Sequence, residues 1–277
     1  MKAHIITADP NWSLQNWTDK KNGAAAAHYA LSPFEYLESL KPTVASLADP
    51  TGSILGVWGI WSKLDECIDL LRSWDYKYVT GIPWIKVVPS SGRIRRGVGF
   101  WQQAASEFML IGRKGKIKAK PLDSNVMGLM CGDSKNSAMF YDRLFDGKTT
   151  QHEEFFAEMW EHQFGDLDYF ENWEKFFEEF GIPCGSVVSL FHKIGQHSRK
   201  PYTIAEYFEE RFDGPYVELF ATEPRDGWNC YGHKVGTHID PDGIMTLEEA
   251  KQLGKLPEDY DPWAPPPKRK KIENAGA

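Results

Sequence analysis

The chain has only four cysteines in 277 residues, Cys67, Cys131, Cys184 and Cys230, and no two form a Cys-x-x-Cys pair. That is weak material for a disulfide framework and for a zinc site alike, so scattered reduced thiols are expected. No apolar run reaches the roughly 18 residues that span a bilayer. The opening Met1-Lys2-Ala3-His4 lacks an apolar signal core and a cleavage site. No internal repeat is present, which excludes solenoids and propellers. A soluble, cytoplasmic protein without membrane contact is the expectation.

Basic and acidic residues are each scarce where the other abounds. Residues 86 to 120 carry nine Lys or Arg against Glu107 alone; residues 151 to 180 carry ten Asp or Glu against Lys175 alone. The overall charge of −7 therefore hides a separation, which suggests a basic working face and a separate acidic element. The basic run is interleaved with Phe100 and Trp101, and eleven tryptophans are many for this length.

Apolar runs and helical periodicities alternate along the chain. Strands are expected over residues 3–8, 53–61, 78–88, 106–112, 185–191 and 215–222. Helices are expected over 33–47, 63–74 and 200–212, the first capped by Ser32 and interrupted at Pro42. Strands alternating with helices predict an α/β sheet with helices on both faces, and ligands at the carboxyl ends of its strands. Residues 122–184 read as an inserted, mostly helical acidic segment, with aromatics at helical spacing among the acids. Residues 240–277 read as a Pro-rich tail ending in a basic cluster, Lys268-Arg269-Lys270-Lys271. That cluster suits a nonspecific DNA tether or a nuclear address.

The first strand delivers Asp9-Pro10-Asn11-Trp12 to one point. An adenine exocyclic amine is a poor nucleophile, because its lone pair is delocalised into the ring. Chemistry on it needs acceptors for the amine hydrogens and an aromatic plate for the base. Asp9 supplies a carboxylate, Pro10 a carbonyl on a restrained backbone, and Trp12 the plate. Alone, Asp-Pro-x-Trp is a weak signal, since Asp-Pro turns are common.

Further stretches sharpen it: Trp84-Ile85-Lys86, the basic loop RIRRGVGFWQQAASEFMLIGRKG (93–115) and HSRKPYTIAEYFEERFDGPYVELFATEPRDGW (197–228). With Asp9–Trp12 these resemble, in order, the motifs of the MT-A 70-kDa-subunit-like family of N6-adenine methyltransferases. The resemblance implies a Rossmann-like methyltransferase sheet in permuted order, with the catalytic half at 1–121 and the cofactor-binding half at 185–239. It implies S-adenosylmethionine as methyl donor, no metal, and adenine N6 in nucleic acid as acceptor. The acceptor favoured is double-stranded DNA with a flipped adenine, as in the small bacterial and phage enzymes; a eukaryotic source would make the protein nuclear.

Carried over, Asp9, Pro10, Asn11 and Trp12 are catalytic, and Lys200 pairs with the cofactor carboxylate. Glu218, Phe220, Thr222, His233 and Asp9 line the cofactor pocket, with Trp12 bordering it. Lys86, Arg93, Arg95 and Arg96 contact nucleic acid. Three positions depart from the family pattern: Asn11 stands for a second proline, Thr222 for an arginine and His233 for an asparagine. RNA as substrate, a non-catalytic nucleic-acid-binding member, and transfer of another small group to the same amine stay open.

Overall fold

A computed structural model describes residues 2–12, 32–88, 93–94, 104, 106–119, 130–131, 187–190, 200 and 203–263. Among them the chain builds nine strands of one sheet. In chain order these are β1 (Ile5–Ala8), β2 (Gly52–Gly59), β3 (Lys77–Val88), β4 (Arg93–Ile94), β5 (Ser106–Gly115), β6 (Met130–Cys131), β7 (Val187–Leu190), β8 (Tyr216–Leu219) and β9 (Trp228–Tyr231). Across the sheet the order is β6-β7-β3-β5-β2-β1-β8-β9, with β4 paired to β3. All strands run parallel except β4 and β5. β1 thus lies between β2 and β8, buried on both faces, as its continuous apolar run requires.

Period-two alternation divides the core into two layers. Ile6, Leu55, Phe108 and Leu110 face α1 (Phe34–Ser39), α2 (Lys41–Leu47) and α3 (Leu64–Ser73), meeting Leu37, Val44, Leu70 and Trp74. Their neighbours Ile5, Ile54, Met109 and Ile111 face the other way, toward Ile204, Phe208 and Phe212 of and beside α4 (Thr203–Arg211). The expected α/β architecture with helices on both faces is therefore present, in a Rossmann-like arrangement. The helix expected over 33–47 breaks at Leu40, and Pro42 falls in the first turn of α2, where its missing N–H leaves nothing unsatisfied.

Two expectations need correction. The chain does not become a tail at residue 240. β10 (Thr237–Asp240) and β11 (Gly243–Thr246) form an antiparallel hairpin, and α5 (Leu247–Gln252) follows with a full capping box between Thr246 and Glu249. A boundary at 239/240 cuts that hairpin in two; Asp240-Pro241-Asp242-Gly243 is turn chemistry that the proline count obscured. Nor is the 86–120 cation run one face. β5 descends, so Arg113 and Lys114 pair with Ile54 and Ser53 at the amino end of β2, opposite the end where β3 stops. Of the 122–184 segment the structure describes only β6, which pairs with β7; the stretch where helices are expected, and Lys268–Lys271, lie outside the described residues. No helix among the described residues is long and apolar enough to cross a membrane.

Candidate functional site

Asp9 sits just past β1, at the carboxyl end of the parallel strands, with its N–H donating to the Leu219 carbonyl at 3.3 Å. Along β1, alternation puts Asp9 on the α4 side with Ile5 and Thr7. There its carboxylate meets the Lys200 ammonium at 3.2 Å. Lys200 precedes α4 and also binds Glu107 of β5 at 3.2 Å. The same ammonium lies 5.4 Å from the ring centre of Trp58 and 5.2 Å from that of Trp84, close enough for cation–π attraction. The two indoles meet edge to face at 5.5 Å. One cation is thus held between two carboxylates and two aromatic rings.

Beside this group lies a small recess, lined by Thr7, Trp58, Lys200, Glu218, Arg225 and Trp228. Glu218 accepts from the Arg225 guanidinium at 3.2 Å. Burial pushes the Glu218 carboxyl up from its ordinary range, and Arg225 works against that rise. Arg225 in turn lies 5.7 Å from the Trp228 ring. The floor is therefore charged, partly desolvated and aromatic, a setting in which a charged ligand is recognised strongly.

The residues expected from sequence do not all converge. Asp9, Lys200 and Glu218 do. Trp12 does not form an exposed plate: it is 7% exposed in the α1–α3 layer, and its indole N–H donates to the Trp58 carbonyl at 2.7 Å. Buried there, it braces β1 against β2, and Trp58 and Trp84 are the rings that face the Lys200 group. The Pro10 carbonyl accepts the Trp12 N–H at 2.9 Å, which leaves one lone pair for another donor. The Asn11 carbonyl accepts the Ser32 N–H at 2.8 Å, tying the loop to the entry of α1.

Phe220 has a φ of 63°, which breaks the alternation of β8 and lays its ring against the α1–α3 layer. Thr222 is exposed in the turn beyond. His233 follows Gly232, where a Cβ would stand 2.4 Å from the Ala221 carbonyl, so only glycine lets the ends of β8 and β9 approach this closely. Both His233 nitrogens are engaged, one with the Tyr260 hydroxyl at 2.5 Å and one with His238 at 2.8 Å. A neutral imidazole offers one donor and one acceptor, so the ring has nothing left for a cofactor. Burial, then His238, holds the His233 pKa down to about 4.

Lys86 and Arg93 belong to β3 and β4 at the carboxyl end; their side chains, and Arg95 and Arg96 altogether, lie outside the described residues. Sequence reading missed Glu107, Trp58 and Arg225. Glu107 had a signal, as the lone acid among nine cations. No cluster of three or more metal-ligating residues occurs among the described residues, and burial pushes both described thiols, Cys67 and Cys230, up.

Against known proteins, the MT-A70 family model matches residues 3–136. That span contains Asp9, Trp58, Trp84 and Glu107; Lys200, Glu218 and Arg225 lie beyond it. No curated protein matches the chain.

Proposed function

The chain belongs to the MT-A70-like methyltransferase family, and from that premise we propose that it methylates the N6 amine of adenine in DNA. Membership implies S-adenosylmethionine-dependent adenine methyltransferase activity. The observation that carries the site is the meeting of Asp9 and Lys200 at 3.2 Å at the carboxyl end of β1.

The donor set of the recess suits that cofactor. It combines an ammonium for a carboxylate, the Glu218 carboxyl for an amine or hydroxyls, and aromatic rings for a cationic sulfur. Lys200 would hold the methionine carboxylate, helped by the amino end of α4. Glu218, braced by Arg225, would hold the cofactor from the floor. When bound, the cofactor supplies an electrophilic methyl group.

Asp9 then accepts one amine hydrogen from the adenine, and the free lone pair of the Pro10 carbonyl takes the other. Those two acceptors draw the nitrogen toward tetrahedral geometry and stabilise the positive charge that grows on it. Trp58 and Trp84, both buried, hold the Lys200 ammonium from its apolar side and help keep water from the reacting nitrogen. Asn11 places its amide where the family has a second proline and leaves the loop backbone less restrained.

We choose DNA over RNA because the family's small members act on DNA; the cations at Lys86, Arg93, Arg95 and Arg96 suit the phosphate backbone of either. A flipped adenine in duplex DNA fits an acceptor group recessed at the strand ends. Nucleoside mass spectrometry decides: the protein is incubated with S-adenosylmethionine and matched DNA and RNA. N6-methyladenine in the DNA supports the reading; methylation confined to RNA moves the substrate, and none in either rejects transfer.

A further inference from the structure

We infer that Glu107 is a positioning residue for methyl transfer: it shares the Lys200 ammonium with Asp9 and so leaves Asp9 its negative charge. This rests on the reading of Asp9 as the methyl-transfer site. Lys200 Nζ lies 3.2 Å from Asp9 Oδ1 and 3.2 Å from Glu107 Oε2. Two carboxylates against one ammonium leave one negative charge among the three groups; Asp9 and Lys200 alone would sum to zero.

The sheet fixes Glu107 in that place. On β5 it alternates with Phe108 and stands on the face of Met109 and Ile111, the α4 side. Its register partner on β3 is Trp84, whose ring centre lies 5.2 Å from the ammonium it shares. The side chains of Lys200 and Glu107 are only 13% and 21% exposed. Little water screens them, so each charge acts more strongly than it would on the surface.

A plainer role for Glu107 is to anchor the segment before α4 to β5. Anchoring needs an acceptor oxygen and no charge. The reaction does need the charge. As the nitrogen lone pair forms the new N–C bond, the S–C pair stays on sulfur, and positive charge passes from sulfur to nitrogen. Nitrogen is the atom beside Asp9, so negative charge there favours the transition state over the bound reactants. An ammonium given wholly to Asp9 would cancel that carboxylate, and Glu107 draws part of it away.

Glu107→Gln separates the two roles, since it keeps the shape and one acceptor oxygen and removes the charge. Calorimetry on the protein alone gives its affinities for S-adenosylmethionine and S-adenosylhomocysteine. These ligands differ in one methyl group and the positive charge on sulfur, so their affinity ratio reads local charge and cancels damage common to both. In Glu107→Gln the ratio of methionine to homocysteine form is expected to fall about 2- to 10-fold. Affinity for the homocysteine form should stay near that of the wild type, which certifies the fold. Single-turnover transfer at saturating ligands is expected to fall about 3- to 50-fold, the worth of one charge between water-like and surface-like screening. An unchanged ratio or an unchanged rate overturns the inference, and so does an equal loss of both affinities. A wild type that binds neither ligand, or methylates neither DNA nor RNA, overturns the proposed function, and this inference with it.

Discussion

Two polar clusters lie at the carboxyl end of the sheet, and they are built to different ends. In the first, Asp9, Glu107 and Lys200 gather from three separated parts of the chain, and Lys200 lines the recess beside them. In the C-terminal cluster, Tyr260, His233, His238 and Asp240 form a chain of contacts that closes on Lys255, which also binds Asp242 at 2.9 Å. Tyr36 and Thr43 anchor that chain by donating to the Ile239 and Asp240 carbonyls. The second cluster staples β10, β11 and α5 to α1 and α2. Histidines and charges are thus no guide to a working site; whether the group ends at a recess or on itself is the better guide.

The comparison can be broken from either side. The layer that seats the recess is the most sensitive part. Phe208 is fully buried beneath it, and Phe208→Ala is expected to cost about 3–5 kcal/mol of stability. A loss under about 1 kcal/mol in chemical denaturation would mean that α4 is not bound to the sheet as described.

Lys200→Ala is expected to weaken cofactor binding by about 1.5–3 kcal/mol, the worth of a hydrogen bond to a charged group. Calorimetry showing unchanged affinity would leave Lys200 as a partner of Asp9 and Glu107 alone. Tyr260→Phe removes one hydrogen bond from the closed cluster, and about 0.5–1.5 kcal/mol of stability should go with it. Turnover on an unmethylated adenine substrate should stay near normal; a large fall in turnover would erase the distinction between the clusters.

Acid should loosen the closed cluster gently. His233 is held down to about 4 by burial and by His238, against an ordinary value of about 6.5 in the unfolded chain. Between those values the unfolded chain binds the proton and the folded one does not. Stability therefore falls as pH drops below about 6.5, and the loss is complete below about 4. Amide protection over residues 233–253 should decline from pH 7 to pH 5 while β1 and β2 hold theirs. Equal behaviour in both regions would contradict the assignment.

How much of this was legible in the sequence follows from what each signal depends on. β1 and β2 announced themselves because burial on both faces forces continuous apolar runs, and Pro42 broke its helix for a local reason. β9 went unread, since Trp228-Asn229-Cys230-Tyr231 has no clean alternation and owes its strand to pairing with β8. Asp9 and Lys200 were legible as motif residues, but their direct contact was not, because it joins positions nearly two hundred residues apart. Trp12 carried the right motif and the wrong inference: a short pattern does not reveal on which face of the sheet a ring is buried. The cation run misled for a similar reason, as a single antiparallel strand carries half of it to the opposite end.

The central claim, that Asp9 at the end of β1 acts on the adenine amine, is tested most directly by single-turnover kinetics of Asp9→Ala at saturating S-adenosylmethionine and DNA. The rate of methyl transfer should fall about 10²- to 10³-fold, the usual cost of losing one stabilising group where charge develops, while cofactor affinity stays close to that of the wild type. A variant that transfers methyl groups at near-normal rate would contradict the account.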